Sequence, residues 1–143
     1  MGNEGTTTSR DLAVAAARAA AGKLGERIVI LDVRDLIVIT DYFVIASGAT
    51  ERQVRTIIEE VEKALLPLGY RALRREGERE GRWILMDFGD LVVHVFVNEE
   101  RDYYELERLW KDAPSIAWND SAGTERGGAG SSSSSKSGST ATG

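Results

Sequence analysis

The chain has 143 residues, 42% of them hydrophobic, which suits a single domain with one core. Its formal net charge of -5 argues against direct grip on a phosphate backbone, since that demands surplus Lys and Arg. No cysteine is present, so disulfides and thiolate chemistry are excluded, and the single histidine, His94, excludes a histidine-rich metal site. Apolar runs such as Leu91-Val92-Val93 fall far short of the roughly 20 residues that cross a bilayer. With no secretory or transit signal legible either, the expectation is a cytoplasmic protein without a membrane partner.

Residues 1–7 read as a flexible start, with Gly2 fitting a myristoylation pattern only loosely. A first helix is predicted over residues 9–22, with Thr8 as cap and Asp11 three residues on. Leu12, Ala16, Ala19 and Ala20 form its stripe, and Gly22 and Gly25 close it. ERIVILDV, residues 26–33, and YFVIAS, residues 42–47, read as strands joined by a turn over 34–41. Both are apolar at nearly every residue, which predicts central strands covered on both faces. A second helix starts at Thr50, with Gln53 in capping-box position, and carries Val54, Ile57, Ile58, Val61 and Leu65 until Pro67 and Gly69 stop it. A third strand is predicted over 70–74, then a strongly charged loop over 75–81.

Residues 82–88 and 91–97 flank Gly89-Asp90, a two-residue turn that suits a tight hairpin. That turn sets Trp83 opposite Phe96 and Asp87 opposite Val92, and alternation then separates two faces. One carries Ile84, Met86, Phe88, Leu91, Val93 and Val95, all apolar, and belongs to the core. The other carries Trp83, Leu85, Asp87, Val92, His94 and Phe96. This mixture suits a docking face with an aromatic anchor and a polar handle. It equally suits Trp83 packed beneath a helix and Asp87 satisfying backbone donors near the turn. If His94 sits in an interface, binding would vary between roughly pH 5 and 8. Residues 98–110 read as a helix capped by Asn98, with Tyr103, Leu106 and Trp110 on one face. Residues 119–143, NDSAGTERGGAGSSSSSKSGSTATG, hold too little apolar surface to fold and are expected to be disordered.

Catalytic signals are weak. A metal-dependent transferase wants two carboxylates on one strand face around a shared ion. Asp32 and Asp35 have the wrong parity for that, and Asp87 and Asp90 straddle a turn. Gly48-Ala49-Thr50-Glu51-Arg52 precedes a helix, but no phosphate-binding glycine motif or Ser-His-Asp arrangement is present. The chain is expected to be no enzyme and to need no cofactor or metal.

Three runs are more specific: ITDYFVIASG, the W-x-x-x-D-x-G-D-x-x-V-H-V pattern from Trp83 to Val95, and YYELERLW. With the segments around them, over roughly residues 12–114, the chain resembles the ribosomal silencing factor family, also called the Iojap family. The resemblance implies a silencing-factor domain over residues 8–118. It implies an α/β fold, a mixed sheet flanked by helices, nucleotidyltransferase-like but without a working transferase site. It further implies binding to the large ribosomal subunit through ribosomal protein number fourteen, a basic partner, without direct sequence-specific nucleic acid binding. An occupant there would block the small subunit sterically and repress translation when nutrients are short. The family contact maps onto Trp83, Asp87, Gly89, Asp90 and His94, to which the mixed face adds Leu85 and Val92. A homodimer that dissociates on docking is also implied. Trp83→Ala is then expected to abolish subunit binding and leave the fold intact. Two other readings stay open: a Mg²⁺-dependent nucleotidyltransferase using Asp32, Asp35 and Asp87, and a dimeric adaptor with a non-ribosomal partner. Beyond Pro114, Trp118 either adds a contact or packs back on the domain.

Overall fold

The computed structural model describes residues 7–119; the expectations for residues 1–6 and 120–143 lie outside the described residues. In chain order the elements are α1 (Ser9–Gly22), β1 (Glu26–Asp32), β2 (Tyr42–Gly48), α2 (Glu51–Leu65), β3 (Arg74–Glu76), β4 (Trp83–Asp87), β5 (Leu91–Val97), α3 (Asn98–Tyr104) and α4 (Leu106–Leu109). The strands form one five-stranded mixed sheet in the order β1-β2-β5-β4-β3. Only β2 and β5 pair in parallel; the remaining neighbours are antiparallel.

Local chemistry accounts for the helix boundaries. Thr8 accepts a hydrogen bond from the Asp11 N–H at 3.0 Å, and the Asp11 carboxylate accepts from the Thr8 N–H at 3.2 Å. Thr50 caps α2 by accepting from the Gln53 N–H at 3.1 Å. Alanines 13, 16, 17 and 20 bring α1 close to the sheet, while α2 contributes Val54, Ile57, Ile58, Val61 and Leu65. Both helices pack on Ile30, Tyr42, Val44, Ala46, Ile84, Met86, Phe88, Leu91, Val93 and Val95. The predicted core face of the hairpin is therefore the core face of the sheet.

Strand β2 is buried along its whole length, as its apolar run predicts. Strand β1 is not central. It lies at the edge of the sheet, with Glu26 and Arg27 exposed and a bulge between Glu26 and Val29. Its apolar residues are covered for another reason: Ile30 faces the helices and Leu31 the opposite cluster. The C-terminal segment closes its free edge, the Asp32 N–H donating to Pro114 O at 2.8 Å and the Ile116 N–H to Ile30 O at 2.9 Å. Trp118 completes this strap by packing back on the domain, its indole donating to Ile28 O at 3.2 Å.

Two further expectations are corrected. The third strand lies at Arg74–Glu76 rather than 70–74. Tyr70 and Ala72 pack against the core without pairing, and the chain meets β4 from Leu73 onward, where the Leu73 N–H donates to Asp87 O at 2.7 Å. Charged side chains suit that short edge strand, since they discourage pairing with another chain. The helix expected over 98–110 is broken at Glu105, which adopts a left-handed conformation with φ of +50°. Asn98 does not cap it; its amide donates to the Glu26 carboxylate at 3.0 Å. The break follows from Arg101, which is buried and donates to Arg27 O at 2.6 Å, to the Ser47 hydroxyl at 3.4 Å and to Glu107. These bonds turn α4 so that Leu106 and Trp110 reach the sheet, while Tyr103 stays 78% exposed.

Candidate docking face

The face of the sheet opposite α1 and α2 is built from the other parity of every strand. Register places Val29 beside Ile45 and Leu31 beside Phe43, then Phe43 beside Val92 and Ile45 beside His94. Leu85 pairs with His94 and Asp87 with Val92; Glu76 and Arg74 follow on β3. The Gly89-Asp90 turn fixes this register as predicted, with Trp83 opposite Phe96. Gly89 holds φ of +94°, a conformation that glycine adopts without steric cost. Phe88 closes the turn by donating to Leu91 O at 2.8 Å.

Half of this face is covered. Leu106, Trp110 and Ala113 lie over the β1 and β2 side, packed with Leu31, Val33, Phe43, Ile45 and Phe96. Phe43 meets Trp110 edge-on at 5.3 Å. Towards β4 and β3 the cover thins, and Leu85, Asp87 and Val92 are only partly buried. Trp83 stands at the boundary. Its ring stacks on Phe96 at 4.8 Å and against Tyr104 at 4.7 Å, so both readings of this tryptophan apply: it packs, and one side of it remains accessible.

His94 lies beneath the face rather than on it, 6% exposed. The Trp83 indole N–H donates to its Nδ1 at 3.2 Å, which fixes the neutral tautomer with the proton on Nε2. Burial pushes its pKa down to about 4, because a charged imidazolium would lie among Phe43, Trp83 and Phe96. The expected titration between pH 5 and 8 is therefore corrected: His94 stays neutral throughout that range.

Asp87 and Asp90 organise the hairpin tip. The Gly89 N–H donates to Asp87 Oδ1 at 2.8 Å, and the Asp90 carbonyl accepts from the Asp41 and Tyr42 N–H groups at 3.1 and 3.3 Å. Arg74 lies 3.8 Å from Asp87 at the outer margin. The predicted residues Trp83, Leu85, Asp87, Gly89, Asp90, Val92 and His94 are thus brought together on one hairpin, six on or rimming the open half and His94 supporting it from below.

The carboxylates of the transferase reading are not brought together. Asp32 is tied to the Arg34 guanidinium, which holds its carboxyl below the usual carboxylate range. Asp32 shares its parity with Tyr42 and Leu91, whereas Asp87 shares that of Val92, so the two point to opposite sides of the sheet. Three strand spacings separate them, roughly 14 Å. Among the described residues no three His, Asp or Glu side chains gather as metal ligands would.

Comparison with known proteins shows which family the chain belongs to. The family described as "Ribosomal silencing factor during starvation" matches residues 6–142. The chain belongs to that family. A ribosomal silencing factor of Halalkalibacterium halodurans is 40% identical over 109 residues, covering 76% of this chain and 93% of the relative. A mouse protein named "Mitochondrial assembly of ribosomal large subunit protein 1" is 38% identical over 74 residues, covering 50% of this chain and 32% of its own length. A crystal structure of a protein from Chromobacterium violaceum superposes with a TM-score of 0.70 at 30% identity, over 80% of this chain and 95% of that one. Sequence reasoning missed two features of this chain. Arg101 carries the α3–α4 break, and the residue 34–41 connection holds exposed apolar side chains. The second has a signal, the four consecutive apolar residues Leu36-Ile37-Val38-Ile39 inside the connection.

Proposed function

We propose that the protein represses translation by binding the large ribosomal subunit through the open half of its sheet face, so that the small subunit cannot join. One observation carries the reading: a chain of the silencing family leaves Leu85, Asp87 and Val92 only partly covered beside a pinned hairpin tip, while the β1 and β2 side of the same face is packed under Leu106, Trp110 and Ala113. The name of the mouse relative points to the same subunit. The partner in this reading is ribosomal protein number fourteen, a basic protein suited to a chain of net charge -5. The family description adds starvation as the occasion.

The scaffold is read as a nucleotidyltransferase-like sheet put to binding use, supported by the separation of Asp32 from Asp87. The protein then acts without catalysis or a cofactor, in the cytoplasm, as a homodimer that opens to dock. Among the described residues no helix is long and apolar enough to cross a membrane.

Sucrose-gradient co-sedimentation with purified large subunits tests the reading. The wild-type chain is expected to travel with the subunit and to lower its joining to small subunits. Leu85→Glu, which places a charge in the open half, is expected to weaken binding at least about tenfold. A wild-type chain that remains at the top of the gradient at micromolar concentration overturns the proposal.

A further inference from the structure

The two ends of the sheet are unlike. At one end lie the charged residues Glu51, Arg52, Arg82 and Glu99. At the other, the hairpin tip meets the connection between β1 and β2, through the bonds from the Asp41 and Tyr42 N–H groups to Asp90 O. That connection is folded by its own backbone. The Val33 N–H donates to Asp41 O, and the Leu36 and Ile37 N–H groups both donate to Val33 O, each at 3.0 Å. Ile37 turns inward onto the second cluster and Thr40 is buried. Leu36, Val38 and Ile39 are left facing water, 44%, 99% and 81% exposed. A pinned loop that holds three aliphatic side chains outward marks a contact surface.

Its rim is acidic. Asp35 and Asp90 are exposed, and Asp41 accepts from the Ser9 hydroxyl at 2.8 Å. Among the described residues none of these three carboxylates forms a salt bridge with Lys or Arg; the neighbouring Arg34, which also feels Asp35, is committed to Asp32 and lies over the Tyr42 ring. We infer that Leu36, Val38 and Ile39 form a second anchor, which enters an apolar depression ringed by lysine and arginine on a protein partner. This rests on the proposed function, whose docking face it continues around the hairpin tip. A two-fold contact between copies would set Asp35, Asp41 and Asp90 against their own kind, which disfavours a second copy. Residues 120–143 contain no large apolar side chain to fill the role, and phosphate backbone meets repulsion from the same rim.

The test uses the full chain and purified large subunits. Val38→Ser with Ile39→Ser is expected to weaken binding roughly thirtyfold while leaving the urea midpoint unchanged, since both side chains already stand in water. Asp35→Asn with Asp90→Asn is expected to flatten the salt dependence of binding. If the wild type binds and the serine pair binds within about twofold of it, the loop is no anchor and the proposed function stands. If the wild type does not bind, both readings fall. A concentration-dependent dimer that the serine pair dissolves, seen by sedimentation velocity, while subunit binding stays within about twofold of wild type, overturns the choice of partner.

Discussion

The two faces of the sheet are built from the same strands and finished differently. Under α1 and α2 every inward side chain of β4 and β5 is apolar, and two long helices seal the layer. On the other side the cover consists of a short broken helix pair and a strap, and the layer includes four aromatic rings and a histidine whose Nε2 has no hydrogen-bond partner among the described residues. A sealed aliphatic layer supports stability. A thinly covered aromatic layer leaves Leu85 and Val92 partly exposed and gives up some stability, because hydrogen-bonding capacity is left unused there.

The largest expected effect lies on the sealed side. Ile57 is fully buried in α2, and Ile57→Ala should lower unfolding free energy by about 3 kcal/mol, through lost transfer energy and an unfilled cavity. Urea denaturation reads this directly. A loss below about 1 kcal/mol would mean that this layer is looser than its packing indicates, and the contrast between the faces would weaken.

On the open side, Trp83→Ala should cost about 2 kcal/mol, less than a fully buried tryptophan because part of the ring already meets water. The variant loses the stacks on Phe96 and Tyr104 and leaves His94 Nδ1 without its donor. Trp83→Ala therefore perturbs packing as well as any docking contact, which makes Leu85 the cleaner probe of docking. Equal urea midpoints for Trp83→Ala and wild type would return Trp83 to the role of a pure surface anchor.

How legible each face is in the sequence follows from the range of the contacts that define it. Helix stripes and the hairpin register are local: Thr50 with Gln53, Val54 with Ile57 and Ile58, and a two-residue turn that fixes every pair from Trp83 to Phe96. The sealed face could therefore be read almost completely. The cover of the other face depends on Arg101 reaching the Arg27 carbonyl and Ser47, contacts that no periodicity encodes. Apolar runs in β1 and β2 looked alike, although β2 is buried by neighbouring strands and β1 by the C-terminal strap. At the site, strand parity grouped Leu85, Asp87 and Val92 correctly. The depth of His94 escaped, because Phe43 of β2 and Phe96 of β5 bury it.

His94 supplies the smallest test and the one most specific to the open layer. The unfolded chain takes up a proton on this residue near pH 6.5, whereas the folded chain does so only near 4. Between those values the unfolded state holds more protons, so acid favours unfolding. The stabilising contribution is complete above about pH 6.5 and is lost as pH falls towards 4. From pH 8 to pH 5 the loss should be about 2 kcal/mol. His94→Gln removes the titration, so the difference between wild type and variant, followed by urea denaturation across that range, should carry this slope and no other. Docking, by contrast, should stay flat from pH 6 to 8, since the imidazole is already neutral there. A wild-type slope no steeper than that of His94→Gln would mean that water reaches this histidine in the fold, and the aromatic layer would then be open deeper than Leu85 and Val92.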